Sequence, residues 1–436
     1  MTRLIQIITA VAIAVVALPA RALDIQEVTS PGGITFWMVE EPAIPIVSVE
    51  ISFAGGKRLD PIGKEGLAGM VAGLLEEGAG AYDAVGFANA RDDLSARFGF
   101  GAGRDAVTVS AQMLVETMTP AAELLAIALA DPTFAEPAVQ RVQSQILAGL
   151  AEEETDPGAI ARKDWNARAF SGHSYGRAST RETVGTLTRQ DLAEALPRLL
   201  TRANATVALV GAVTAEEASA LVDTILGGVV DGETIEADWV EMQATPGVQV
   251  IELDVPQSAA IFGHGGIKRT DPDFIPTFVM NYVLGGGSFN SRLTEEVREN
   301  RGLAYSVYSY LGVMEESAVY LGSVQTANES MAESLAVIRD EWTKMAADGL
   351  TEDDLGKAKK YLTGAFPLRF DSNAKIAGYL VFMQEDGLGI DYLDRRNDLV
   401  EAVTLEDVKR AAARVLKPDD LVITVVGAPE GIESTN

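Results

Sequence analysis

The heptapeptide Gly55-Gly56-Lys57-Arg58-Leu59-Asp60-Pro61 returns 211 residues later as Gly266-Ile267-Lys268-Arg269-Thr270-Asp271-Pro272. Each copy follows an apolar, strand-like run (46–53 and 259–263) and precedes a segment of helical period (67–75 and 274–284). A second pair closes each half at an offset of 216. Thr188-x-x-Asp191-Leu192 leads to Arg198-Leu199-Leu200 and the run 207–210 before Gly211. Its counterpart is Thr404-x-x-Asp407-Val408, Arg414-Val415-Leu416 and 423–426 before Gly427. Two separate matches at nearly one offset mark an internal duplication. Such a chain must fold as two copies of one unit of roughly 200 residues, each large enough to close around its own core.

Thr188 and Thr404 read as helix N-caps, each starting a helix that leads into a buried strand. Further helix signals lie at 138–154, 159–170, 331–347 and 352–361. Strands mixed with long helices predict an α+β fold. The polar, acidic stretch 227–247 (GGVVDGETIEADWVEMQATPG) divides the halves. The expected organisation is 1–22, a leader; 23–228, the first domain; 229–246, a linker; and 247–436, the second domain.

Met1-Thr2-Arg3, the almost wholly apolar run 4–18 and Ala20-Arg21-Ala22 have the layout of a secretory signal peptide cleaved after Ala22. The run is shorter than the roughly 20 residues of a spanning helix, and nothing later replaces it, so no stable membrane span is expected after cleavage. The chain has no cysteine, which leaves core burial to hold an exported protein together. A hydrophobic content of 47% is enough for that. The net charge of −28 excludes nucleic acid as a partner, because phosphates would be repelled. It keeps the chain soluble and would favour basic peptides.

Few side chains offer chemistry of their own. His173 and His264 are the only histidines, and neither has a second ligand one helical turn away, as a zinc site requires. Gly172-His173-Ser174-Tyr175-Gly176 matches the serine-hydrolase elbow, but that motif needs a strand before the serine and a helix after it. Here the helical run 159–170 comes first and polar 177–181 follows. Gly99-Phe100-Gly101-Ala102-Gly103 and Gly285-Gly286-Gly287 lack the lysine and hydroxyl of a phosphate loop and read as flexible turns. Glu152-Glu153-Glu154 reads as a solvated helix end.

The segment 284–310, LGGGSFNSRLTEEVRENRGLAYSVYSY, is more informative. Ser291-Arg292-Leu293 opens a helix with Leu293 and Val297 inward. Arg298 and Arg301 occupy its last turn, where cations suit the helix dipole, and Gly302 stops it. The run 304–310 then alternates as a strand, placing Tyr305 and Val307 on one face and Tyr308 and Tyr310 near each other on the other. Considered by itself, Arg298 would form a surface ion pair of little energetic weight.

This segment closely resembles the second-domain signature of the pitrilysin/insulinase-type zinc peptidases, the group that includes mitochondrial processing peptidase. The resemblance extends over essentially all of 23–436. It implies that each domain is a mostly antiparallel sheet packed with several helices, and that the chain forms half of a clam-shell. It also implies that Arg298 and Tyr305, seven apart as in the family, hold substrate and stabilise charge at the attacked carbonyl. After 49–61 and Lys64-Glu65-Gly66-Leu67-Ala68, active members carry His-x-x-Glu-His, whose histidines bind zinc and whose glutamate activates the attacking water. Here the stretch reads Gly69-Met70-Val71-Ala72-Gly73. Gly69 and Gly73 stand for the ligands and Ala72 for the base. The third ligand, expected near Ala148-Gly149, is absent too.

The resemblance therefore implies a chain that binds no cofactor itself. It would act in the periplasm beside an HxxEH-bearing homologous subunit that holds the zinc, and contribute Arg298 and Tyr305 in trans to a peptide substrate. Gly285, Gly286 and Gly287 would then form a gate. The alternative is a catalytically inert peptide-binding or scaffold protein.

Overall fold

The runs Ile46–Ala54 and Gln257–Gly265, nine residues each and 211 apart, become the central strands of two sheets. The computed structural model describes residues 23–435; the expected signal peptide lies outside them. In the first half the main strands are β1 (Ile25–Thr29), β2 (Thr35–Glu40), β3 (Ile46–Ala54), β4 (Arg97–Ala102), β5 (Ala106–Leu114) and β6 (Ala205–Gly211). In the second they are β7 (Gly247–Glu252), β8 (Gln257–Gly265), β9 (Ala304–Val313), β10 (Ala318–Ala327) and β11 (Val422–Gly427). The sheet orders are β1-β2-β6-β3-β5-β4 and β9-β10-β8-β11-β7. Without β1, one order is the reverse of the other. Each sheet has one parallel pair, β2 with β6 and β7 with β11, and is otherwise antiparallel. This is the α+β, antiparallel-rich architecture that the duplication and the resemblance imply.

The helices used below are α1 (Leu67–Leu74), α2 (Glu136–Glu153), α3 (Pro157–Ala169), α4 (Arg189–Leu199), α5 (Phe274–Asn281), α6 (Asn373–Glu385), α7 (Tyr392–Glu401) and α8 (Leu405–Val415). The caps read from Thr188 and Thr404 form as full capping boxes. Asp191 accepts the Thr188 N–H at 2.8 Å and Asp407 the Thr404 N–H at 3.0 Å, while each threonine oxygen accepts from the aspartate N–H. Each box satisfies N–H groups that the first helical turn leaves without intrahelical partners, worth about 1 kcal/mol.

Alternation along the strands divides the buried side chains between two layers. Val207 and Leu209 of β6 face the core of their own half, with α1 and α4. Ala208 and Val210 face the other way, onto Ile376, Ala377 and Leu380 of α6, a helix of the second half. The reciprocal contact is α3, from the first half, lying on the second sheet through Trp165 and Val422. The two covering helices match at the 216 offset, and so do their anchors. Arg168 donates to the Ile423 carbonyl at 3.0 Å, and Gln384 donates to the Val207 carbonyl at 3.1 Å. Trp165 Nε1 adds a buried bond of 2.9 Å to the Val422 carbonyl.

Between the halves, Arg58 pairs with Glu316 at 2.5 Å, with side chains only 6% and 10% exposed. His173 Nε2 lies 3.2 Å from the other Glu316 oxygen. The Tyr175 hydroxyl accepts the Glu316 N–H at 2.9 Å and donates to Asp105 at 2.5 Å. Burial and the Asp105 carboxylate push Tyr175 ionisation well above the ordinary tyrosine range. The connecting stretch has no regular elements over 231–246. It is nonetheless tied down, since the Val240 N–H reaches the Glu316 carbonyl at 2.7 Å and the Gln243 N–H the Ala169 carbonyl at 3.0 Å.

Gly99 to Ala102 belong to β4, so the expectation of a flexible turn there is corrected. The glycines serve close approach instead, because a Cβ on Gly99 would sit 2.7 Å from Ser110 Oγ on β5. His264 is a core residue, 1% exposed. Its Nδ1 meets the Gly265 carbonyl at 2.8 Å, and its Nε2 accepts from Trp342 Nε1 at 3.1 Å and from the Lys417 N–H at 3.3 Å. That geometry calls for a neutral ring, and burial pushes its pKa down to about 4.

Removing the Glu316 carboxylate leaves Arg58 charged in a buried setting. Glu316→Ala is expected to cost about 3–5 kcal/mol in urea unfolding, with much of the loss recovered in the Arg58→Met/Glu316→Met pair. For His264, the unfolded chain gains its proton near 6.5 and the folded chain only near 4. The stability held by the neutral ring is therefore complete above 6.5 and is lost as pH falls towards 4, by about 3 kcal/mol. Melting curves over that interval should be less pH-dependent in His264→Gln than in the wild type.

Candidate functional site

The segment 291–310 builds a cleft on the second sheet. Ser291 Oγ bonds Thr294 Oγ1 at 3.0 Å at the start of the helical turn. Leu293 and Val297 are fully buried, as their spacing predicts. Over Thr294–Glu299 the helix widens to i→i+5 bonding, with the Asn300 N–H on the Glu295 carbonyl at 2.8 Å. Such π turns concentrate at functional sites. Gly302, at φ +62°, ends the helix with its N–H on the Arg298 carbonyl at 2.9 Å.

The next residues depart from simple alternation. Ala304 pairs with Thr326 and Ser306 with Gln325, which leaves Tyr305 as the extra residue of a β-bulge. A bulge re-aims the side chain it inserts. Tyr305 is 82% exposed whereas Val307 is buried, so the two do not share a face, contrary to the period-2 expectation. Tyr308 and Tyr310 do stand together, their rings 6.2 Å apart and stacked.

The bulge brings Tyr305 to Arg298. The guanidinium carbon lies 4.7 Å from the Tyr305 ring centre and 4.8 Å from that of Phe289, so Arg298 is held between two exposed aromatic faces. Its Nε is 3.2 Å from Glu299. Each cation–π contact is worth about 0.5–1 kcal/mol at an exposed position, enough to bias the orientation and weak enough to yield to a ligand. Phe289 is a site residue that sequence reasoning missed; its only sequence signal is a lone aromatic in the polar loop SFNS. These residues, with Asn281 and Tyr308, line a cleft of about 610 Å³.

Gly285, Gly286 and Gly287 lie beneath it. Gly285 and Gly286 belong to the helical turn Tyr282–Gly286, so they are not part of a loose turn. A Cβ on Gly285 would come within 2.6 Å of the Ser309 backbone nitrogen, and one on Gly287 within 2.6 Å of the Tyr282 carbonyl. The Ser309 hydroxyl is fixed on Asn281 Oδ1 at 2.8 Å. Glycine here lets helix and strand meet backbone to backbone.

In the first half, Gly69, Ala72 and Gly73 lie on α1, whose Leu67, Met70, Val71 and Leu74 are buried. The helix α2 crosses it, and a Cβ on Gly73 would meet Val142 at 3.2 Å. Added Cβ atoms on Gly69 and Gly149 would meet nothing within 4 Å. Packing therefore does not demand glycine at 69. Among the described residues no three histidine, aspartate or glutamate side chains gather as a metal-ligating group. Ser174 follows a helix and opens a short 3-10 turn, so no nucleophile elbow forms.

Residues 186–362 match the family described as the peptidase M16 inactive domain. A crystal structure of a peptidase M16 inactive domain from Pseudomonas fluorescens superposes with a TM-score of 0.87 at 28% identity, covering 94% of this chain and 100% of that one. The chain is thus similar to M16 peptidases over nearly its whole length, with the inactive-domain match lying in 186–362. Among curated relatives, the non-peptidase homolog YmxG of Helicobacter pylori is 25% identical over 94% of this chain and 95% of its own length. An uncharacterized zinc protease of Mycobacterium tuberculosis is 27% identical over 91% and 92%. The match to an inactive domain and the likeness to a non-peptidase homolog set this chain beside the inactive members.

The contrast between the two sets of glycines can be measured. Gly69→Ala should stabilise the chain by about 0.5–1 kcal/mol through helix propensity. Gly285→Ala should destabilise it by about 1–3 kcal/mol through overpacking, both read from urea unfolding.

Proposed function

We propose that this chain is the non-zinc subunit of a periplasmic two-subunit metallopeptidase, forming one half of a clam-shell with an HxxEH-bearing homologue. Arg298 and Tyr305 would act in trans on a peptide bound at the partner's metal. The observation that carries the reading is the pairing of Arg298 and Tyr305 at the mouth of one cleft, in a chain whose own ligand positions hold glycine.

The chemistry follows from what each group offers. The partner would supply the metal and the base. The Arg298 guanidinium donates hydrogen bonds with a fixed positive charge, suited to the carbonyl oxygen on which charge develops. The Tyr305 hydroxyl, on a bulge and free of neighbouring packing, can reach the substrate backbone. Phe289 holds Arg298 ready between turnovers. Close packing of Gly285 and Gly287 gives the cleft a firm floor, so any gating would centre on the exposed Gly286 and Ser288. Export with cleavage after Ala22 would place the chain beside such a partner, and N-terminal sequencing of the periplasmic form should begin at Leu23.

Mixing the mature chain with the HxxEH homologue of the same organism should raise peptide cleavage well above that of the homologue alone. Arg298→Ala should remove about 10²-fold of that rate, as loss of one oxyanion-stabilising donor does, with Tyr305→Phe intermediate. A wild-type mixture no faster than the homologue alone would reject the proposal, and peptide binding indifferent to both substitutions would favour the inert binding protein.

A further inference from the structure

The duplication also gives each half an equivalent hollow, and the two have diverged in chemistry. In the first half Glu153, Lys163, Asn166 and Gly176 line a polar hollow of about 290 Å³. At the 216 offset these positions are Arg369, Tyr379, Phe382 and Tyr392, and all four line a hollow of about 400 Å³ in the second half. The small and polar positions have become aromatic, and the acidic one has become an arginine. The walls also include Phe274, Phe278 and Phe366, from α5 and the turn before α6.

Three guanidinium groups reach this hollow: Arg269, Arg369 and Arg396. Arg396 on α7 is 5% exposed. It donates to the Leu362 carbonyl at 2.7 Å and lies 4.4 Å over the Phe366 ring, but pairs with no carboxylate among the described residues. Burial, with Arg369 adding to it, lowers its proton affinity. Arg369 is exposed and forms no hydrogen bond or ion pair among the described residues. Arg269 is matched by Asp386 at 3.0 Å and stacks on Phe274 at 4.4 Å and Phe382 at 5.0 Å. Two of the three cations thus lack a counter-charge, inside a chain whose net charge is −28. A desolvated cation without a counter-ion is unfavourable, and an anion entering the hollow would relieve it.

We propose that this hollow binds an organic carboxylate carrying an aromatic or branched apolar group, with the carboxylate on Arg369 and Arg396 and the apolar group among the phenylalanine rings. That chemistry is shared by the C-terminal residue of a peptide and by a free aromatic acid. Guanidinium groups match a carboxylate in planar, two-bond geometry, and rings in a hollow of this size take up one aromatic side chain. The site is separate from the Arg298 cleft and needs no partner subunit.

The test is titration calorimetry on the mature chain with three probes: a hexapeptide ending in phenylalanine with a free carboxylate, the same peptide as its C-terminal amide, and 3-phenylpropionate. The free-acid peptide should bind at one site and the amide at least about tenfold more weakly. Displacement of the peptide by 3-phenylpropionate would identify the free acid as a sufficient ligand; its failure to bind, with the peptide still bound, would assign the site to peptide ends. Arg369→Gln should weaken the acid at least about fivefold while leaving the melting temperature unchanged, since Arg369 holds no structural contact. Equal binding of acid and amide, no binding at millimolar concentration, or full affinity in Arg369→Gln would overturn the proposal. Because the readout uses this chain alone, its failure is distinct from failure of the trans-acting Arg298 and Tyr305.

Discussion

Each sheet in this chain has its outer face covered by a helix that the other half supplies. α3 lies on the second sheet and α6 on the first, each fixed by a side chain donating to a carbonyl of the strand beside the central one. A sheet apolar on both faces cannot be left half bare, because about 25 cal/mol is forfeited for every Å² of apolar surface kept in water. Neither half is therefore complete alone, although each has its own core. The exchange locks the two sheets into one body, and the buried Arg58–Glu316 pair sits at the junction it creates. That rigidity is what a subunit needs if it is to present two side chains to a site it does not own.

Within this frame the cleft is made by local irregularity. A regular strand would have sent Tyr305 to the face opposite Ser306 and in line with Val307, into the core. The bulge turns it outward, and the widened helical turn before it carries Arg298, whose guanidinium lies over the Tyr305 ring. Two departures from ideal geometry in one short segment, over a floor where glycines permit backbone contact, indicate a place shaped for more than stability. The first half shows the converse. There α1 is a regular helix with an apolar face and a fit against α2, and open space surrounds Gly69.

Duplication let the halves specialise. Lys163 and Asn166 in one hollow correspond to Tyr379 and Phe382 in the other, with little change in the surrounding helices. Surface lining is free to vary once the buried layer and the two covering helices are fixed.

Much of this is legible in the order of the residues alone. Repeated Asp-Pro and Thr-x-x-Asp signatures determine that there are two like halves, where α4 and α8 begin, and which strands they lead into, because caps and apolar runs act through neighbours in sequence. Leu293, Val297 and Gly302 follow from helical period and stop signals in the same way. Glycine at 69 and 73, where the family resemblance leads one to expect ligands, is also visible there, since metal binding depends on side-chain identity. Sequence could not show that Gly99 and Gly101 lie in a strand or that Phe289 clasps Arg298. It also could not show that Tyr305 leaves the face of Val307, or that arginines and aromatic rings from separate helices converge on one hollow. Those outcomes depend on register, on the bulge and on helix exchange between halves, where residues distant in the chain compete for the same space and only the assembled tertiary structure decides which contacts are made.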